Sequence, residues 1–346
     1  MITTREQEML ATISGEEARD NISQLILPMD RWAGSEAETE IAKKIRDKLA
    51  PYVDTCELEG VPVASYLRME GRLEVVSPVE LSIPCAPVPL SGSGSGTFTL
   101  VDVGYGTKED YDRLGAGVEG VAVLATCKSP IATIAERMMM SLEARHRKAS
   151  CIIYNIPDKG DDVVSQSINR VDYPALSISN RSVAELRELL SQHREVKVRF
   201  EAILDQTDST TYNVVGTITG TQFPHEIIYI SGHHDSWYYG ANDNISSVAC
   251  VIETAKMFKK YRPRRTIRFI SWGGEETGLS GSRGYCNMHQ EALEGKLEEV
   301  TVGIINGEFM GYSERLFHRA GTLELIREII AFLPIEPGKL PITIDI

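Results

Sequence analysis

Apolar residues recur at spacings of three and four over 16–27 and again over 36–49, the period of an amphipathic helix. The stretch between them, Asp30-Arg31-Trp32-Ala33-Gly34-Ser35, reads as a loop whose final serine is placed to cap the second helix. From about 72 to 103 the texture turns to short alternating runs. These are broken by Pro84, Pro87 and Pro89 and by a Ser-Gly repeat over 91–96, which reads as a flexible loop and not as a phosphate cradle. Apolar runs at 118–126, 151–155 and 174–178 predict short buried strands, with helices over 131–146 and 182–193. The Met138-Met139-Met140 run in the first of these helices is expected to fill gaps in a core, because methionine packs adaptably. This middle stretch has the texture of a compact insertion with its own core.

After about 205 the pattern shifts again. Residues 226–231, 266–272 and 300–306 are apolar without strict alternation, which suits strands covered by helices on both faces. A helix over 246–260 lies between the first two. Strand, helix, strand in this order predicts a right-handed crossover in an open α/β sheet, where ligands bind beyond the carboxyl ends of the strands.

Composition narrows the setting. The chain has 346 residues, of which 42% are hydrophobic and 25% charged, as in an ordinary globular protein of about two domains. Its 49 acidic and 36 basic residues leave a formal net charge of -13, which disfavours nonspecific attraction to nucleic acid or to an anionic membrane. The basic run 259–265 therefore reads as a solvated helix end and turn. The amino terminus shows no basic start followed by an apolar stretch, and no uncharged run reaches the ~20 residues of a membrane span. Six cysteines stand singly without a CxxC pair, so a cysteine-based zinc site is not expected. Free buried thiols in a reducing cytoplasm are the expectation.

The candidate chemistry gathers at the predicted strand ends. After the first of the three late strands comes Ser231-Gly232-His233-His234-Asp235-Ser236. A histidine there can offer a ring nitrogen to a metal, and Asp235 can fix its ring or a nearby turn. Alone, this reading competes with a structural histidine. Asp243, in Gly240-Ala241-Asn242-Asp243-Asn244, leads straight into the next helix. Either the cluster is a helix cap and turn, or Asn244 caps and Asp243 faces the site. After the next strand, Gly273-Gly274-Glu275-Glu276-Thr277-Gly278 places two adjacent glutamates between glycines. Like charges held together need neutralising, which a metal would do, unless the turn is simply solvated. Glu308 stands beyond the third strand, where a surface glutamate is an equal reading. One histidine and four carboxylates without thiolates suit zinc, and also cobalt or manganese, as one or two ions.

In combination and order these motifs resemble the co-catalytic zinc exopeptidase family that includes bacterial aminopeptidases and glutamate carboxypeptidase. The likeness takes in the Arg31–Ser35 loop, His233–Ser236, Gly240–Asn244 and Gly273–Ser282. It implies a three-layer open sheet flanked by helices, formed by 1–72 and 205–346. The block 73–204 resembles the protease-associated domain often inserted in this family, through residues 101–106 and 172–177. The resemblance gives His233 to a first zinc, Asp243 to a bridge between two, and Glu276 to the second. It makes Glu275 the general base on the attacking water and Asp235 the aspartate behind the histidine. The implied substrate is a peptide trimmed at its end, and self-association is left open.

Two departures stand out. The family usually carries aspartate where Glu308 stands, as the other ligand of the first zinc. The family's second zinc also takes a histidine from a late segment, whereas His318, among the 38 residues after Glu308, lies in no matching motif, and His289 is unmatched as well. A shortened form, a partner that completes the site, and a weak or absent second metal stay open. So do three functions: a zinc exopeptidase, a catalytically silent relative that binds or scaffolds, and the same fold with another reaction such as deacylation or glutaminyl cyclisation.

Overall fold

Two long antiparallel strands organise the molecule: β1 (Thr55–Ser77) and β8 (Lys197–Ile218), paired from Thr55 with Thr217 to Ser77 with Lys197. The computed structural model describes residues 3–128, 134–157, 160–164, 171–290, 299–308, 317–319 and 343–345. Neither long strand was expected from the sequence. Their signal is the alternation Val196, Val198, Phe200, Ala202, in which each named residue is buried.

On one side of this ribbon, β8 pairs with β10 (Arg265–Trp272), β10 with β9 (Phe223–His233), and β9 with β11 (Val300–Asn306). The last two pairings are parallel, so β9, β10 and β11 end on the same edge. The helices α2 (Gly15–Leu25), α3 (Glu36–Leu49) and α7 (Ser246–Lys260) cover one face through a core that includes Leu25, Ile41, Ile45, Leu49, Val248, Ile252 and Phe269. A short first helix, α1 (Thr4–Leu10), precedes them. On α3 the spacing of Ile41, Ile45 and Leu49 forms one stripe, and Ser35 caps the helix by accepting from the Glu38 N–H at 3.1 Å. The expected cap is therefore present. A smaller core of Val215, Ile227, Tyr229, Ile270 and Tyr285 brings in α8 (Ser280–Met288).

On the other side, β8 pairs with β4 (Gly94–Asp102), which begins a parallel run through β5 (Ala122–Thr126), β6 (Cys151–Asn155) and β7 (Ala175–Ile178). The short β3 (Cys85–Pro87) closes this run antiparallel to β7, and β2 (Leu81–Ile83) pairs with β1. Around these lie α4 (Lys108–Leu114), α5 (Ile134–His146) and α6 (Asn180–Gln192). The Ser-Gly repeat is not wholly a loop: Gly94 and Gly96 pair with Ala202 and Phe200 inside β4. Glycine permits this because a Cβ on Gly94 would lie 2.5 Å from the Pro174 ring.

The expected helix and strand segments are recovered with small shifts at their ends, apart from 131–133, which lie outside the described residues. Of the methionine run, Met140 is buried and Met138 packs against the core, but Met139 is 58% exposed. All six cysteines are unpaired, and Cys286 is exposed where burial was expected. Among the described residues no helix is long and apolar enough to cross a membrane. A two-strand pair, β12 (Phe317–Arg319) with β13 (Thr343–Asp345), stands apart from the main sheet.

Candidate metal centre

The last residue of β9 supplies the only ring nitrogen of the cluster among the described residues. His233 is 2% exposed, with Nδ1 lying 3.1 Å from the Asp235 carbonyl and 3.3 Å from Asp235 Oδ1. Contacts on that side turn Nε2 toward three carboxylates: Asp243 Oδ1 at 3.0 Å, Glu308 Oε2 at 3.4 Å and Glu275 Oε2 at 3.9 Å. Ligand atoms of His233, Asp243 and Glu308 all fall within 4.8 Å of one another.

This cluster calls for a cation. Among the described residues, no lysine or arginine forms an ion pair with Asp243, Glu275, Glu276 or Glu308. Two such charges 4 Å apart repel by about 4 kcal/mol in the partly screened environment of a protein surface. The titration of the groups registers the strain. Burial opposes charge on the His233 ring, but hydrogen bonds to Asp235, Asp243 and Glu308 outweigh it and hold the imidazole well above its usual range. Burial pushes the Glu275 carboxyl up to about 7, against the pull of His233 and with the help of Asp235, Glu308 and Asp243. Burial first, then Asp243 and Asp235, raises Glu276 well above the carboxylate range. One imidazole with several oxygen donors is the donor chemistry of zinc, cobalt or manganese, so the residues present fit such an ion.

Loops hold these groups by hydrogen bonds that reach across the fold. Asp235, wholly buried, accepts the N–H of Glu275 at 2.9 Å and of Glu276 at 3.0 Å, so one carboxylate fixes the turn that carries both glutamates. The glycines of that turn allow its close approach: a Cβ on Gly281 would sit 2.0 Å from the Gly273 carbonyl. Arg31, also buried, exchanges both backbone hydrogen bonds with Ser236. Its guanidinium donates to the carbonyls of His234 at 3.2 Å and Tyr239 at 2.8 Å. Burial lowers that group to about 10, partly offset by Asp235 and Asp30. Glu38 accepts from Gly34 N–H at 2.6 Å, from Gly274 N–H at 3.2 Å and from the Thr211 hydroxyl.

All six candidates from the sequence, His233, Asp235, Asp243, Glu275, Glu276 and Glu308, thus stand on this one edge. His234 does not: it turns its Nδ1 to the Ser271 hydroxyl at 2.9 Å. The capping role expected of Asn244 is corrected. Helix α7 begins without a side-chain cap, and Asn244 Nδ2 donates across the edge to Gly307 O at 2.9 Å and Glu308 Oε2 at 2.8 Å. Asn306 Nδ2 takes the other oxygen of Glu308 at 2.9 Å. The single turn Ala241–Ile245 departs from helical angles at Asp243 and Asn244, which aims the amide at β11 instead of at the helix. His289 is engaged with Glu59 at 3.0 Å and stacks on Tyr285. The side chain of His318 lies outside the described residues.

Arg31, Glu38 and Asn306 are the parts of the site that sequence reasoning did not assign. Glu38 carries a misleading signal. Ser35-x-x-Glu38 has the spacing of a capping box, yet the carboxylate serves the Gly34 and Gly274 amides.

Fold and site together describe a cluster of one histidine and several carboxylates, able to hold a metal ion, on the carboxyl edge of an open α/β sheet. Residues 213–329, which contain every candidate ligand, match the sequence model of Peptidase family M28. That match agrees with the resemblance read from the motifs. The chain is 27% identical over 314 residues to Aminopeptidase YwaD of Bacillus subtilis, an alignment that takes in 88% of this chain and 64% of that protein. The chain thus spans less than two thirds of that relative's length. Two solved structures share the fold. A peptidase M28 precursor from Shewanella amazonensis superposes with a TM-score of 0.77 at 23% identity, covering 94% of this chain and 78% of that one. The zinc aminopeptidase BSAP from Bacillus subtilis gives 0.73 at 21% identity, covering 95% and 79%.

Proposed function

We propose that the chain is a zinc-dependent exopeptidase, and specifically an aminopeptidase that releases the first residue of a peptide. The observation that carries this reading is the convergence of Asp243, Glu308 and Glu275 on His233 Nε2 with no lysine or arginine paired to those carboxylates among the described residues. The names of the relatives support it. In this reading His233, Asp243 and Glu308 would hold one ion, and Glu276 would serve a second.

Zinc bound there supplies a Lewis acid for the peptide carbonyl and makes water acidic enough to be deprotonated near neutrality. Glu275 takes a proton from the attacking water and returns it to the leaving amine. Its place suits both halves of that transfer, since Glu275 Oε2 lies 3.9 Å from His233 Nε2, on the edge where the ion would sit. Asp235 contributes by holding the Glu275 amide and the His233 ring in place. Asn244 and Asn306 grip both oxygens of Glu308, which steadies the longer side chain at this position. The division into a peptidase part (1–72 and 205–346) and an inserted protease-associated-like part (73–204) belongs to the same proposal. The separate cores on the two sides of the β1–β8 ribbon support it. Six unpaired cysteines support a reducing, cytoplasmic setting.

The test is release of the first residue from unblocked peptides and aminoacyl anilides by zinc-loaded protein, compared with N-acetylated controls. Turnover confined to free amino ends, lost on chelation and restored by zinc, is the expected result. Tight zinc binding with no hydrolysis of any peptide end would refute the peptidase reading and leave a metal-binding relative.

A further inference from the structure

Between His233 and Asp243 the chain passes through Ser236-Trp237-Tyr238-Tyr239, a turn that touches both halves of the molecule. Ser236 is tied to Arg31 through its backbone. The Tyr238 hydroxyl donates to the Val163 carbonyl, in the block 73–204, at 3.3 Å. The half-buried Trp237 ring packs against a core that includes Tyr66, Leu73, Leu100, Phe200 and Leu204, on the inserted side of the ribbon. Its indole Nε1–H donates to Glu276 Oε2 at 3.1 Å.

An indole N–H can donate but not accept, and it cannot bind a metal. On a carboxylate it fixes one oxygen and leaves the other available as a ligand. Glu276 differs from Glu308 in how it is held. Glu308 is gripped by two amides, whereas the side-chain hydrogen bond recorded for Glu276 among the described residues is the one from Trp237.

We propose that Trp237 is a positioning residue for the second metal ion, holding Glu276 through its indole N–H. This rests on the reading of Glu276 as a metal ligand. Donors behind a ligand typically change metal affinity by roughly 10- to 100-fold when removed.

The experiment is zinc titration calorimetry on the full chain as wild type, Trp237→Phe and Glu276→Gln. Trp237→Phe keeps an aromatic ring in the core and removes the donor. Two binding steps are expected in the wild type, with the weaker lost in Glu276→Gln and weakened roughly 10- to 100-fold in Trp237→Phe. The tighter step stays unchanged in both. Matching isotherms for wild type and Trp237→Phe, with Glu276→Gln altered, would overturn the role of Trp237 while leaving the ligand assignment intact. A Glu276→Gln isotherm like the wild type, or a single step in the wild type, would overturn the assignment and the proposal with it. Should Trp237→Phe fail to fold, the indole N–H resonance of Trp237 provides the same test. It is expected to move in Glu276→Gln and on zinc addition, and a resonance that stays in both cases would overturn the proposal.

Discussion

Parallel strands reach a carboxyl edge twice in this chain, and the two edges differ in how their charge is settled. In the block 73–204, β4, β5 and β6 end at Asp102, Thr126 and Asn155. Arg187 of α6 reaches across that edge, meeting Asp102 with two donors at 2.7 and 3.2 Å and the Thr126 hydroxyl at 3.1 Å. Asn155 is met by Asn180 at 2.6 Å. In the other sheet, β9 ends at His233, and Glu275, Glu276 and Glu308 follow the ends of β10 and β11. Among the described residues no arginine or lysine pairs with those three glutamates, and Arg31 there meets backbone carbonyls instead. The architecture is shared, so the strand edge is not what makes a site. What differs is that the carboxylates of the second edge face one imidazole and, among the described residues, no lysine or arginine, which leaves them open to an added cation.

Loss of the proposed base should have the largest effect on this contrast. Glu275→Gln is expected to lower kcat/KM on an aminoacyl anilide roughly 1,000-fold with zinc content unchanged, the scale of a lost general base. Wild-type turnover in that variant would remove Glu275 from the chemistry. Chelation should come next. If free zinc stands at 100 times its Kd, stripping it lowers unfolding stability by about 2.7 kcal/mol, measured by thermal melting with and without chelator. Arg187→Ala protein should show the same loss, since its edge holds no ion; a melt indifferent to zinc would mean that the open edge is satisfied some other way.

The third effect is a pH slope. Burial holds the His234 imidazole down at about 4, with the charge on Asp235 only partly opposing it. The unfolded chain takes up a proton below about 6.5 that the folded chain refuses until about 4, so stability falls as pH drops through that window. Between pH 7 and 5 the loss is about 2 kcal/mol. Burial pushes neighbouring Glu38 up to about 8, which tilts the curve the opposite way. The difference between wild type and His234→Gln in denaturant titrations isolates the histidine, and identical slopes would show that it is not held neutral. The smallest effect is expected from Arg187→Ala itself. Its ion pair is more than a third exposed on the arginine side, so the cost is about 1 kcal/mol, with zinc stoichiometry unchanged.

Much of this was legible without coordinates, for reasons that differ from residue to residue. The α3 and α7 segments and β11 stood out because their apolar spacing is a local property read within a few turns. His233, Glu275, Glu276 and Glu308 stood out because each follows an apolar run directly, and strand ends are where open α/β sheets bind ligands. The long β1–β8 ribbon was missed although its alternation is present, because it crosses the change of texture taken as a domain boundary. That boundary falls within the paired strands, where Arg72 faces Glu201. Asn244 was given to the wrong partner because an asparagine before a helix is an ordinary cap, and nothing local shows Gly307 and Glu308 coming within its reach.

The sequence by itself determined the helices, the parallel strands after 205 and the acidic character of their ends, since each depends on residues a few positions apart. Tertiary structure alone decided which of those ends share one centre and what holds them there. Arg31 meets the His234 carbonyl across 203 positions, and Glu38 meets the Gly274 amide across 236. Contacts of that span exist only once the strands have paired and the helices have packed, because burial makes each donor and acceptor seek a partner that chain proximity does not supply.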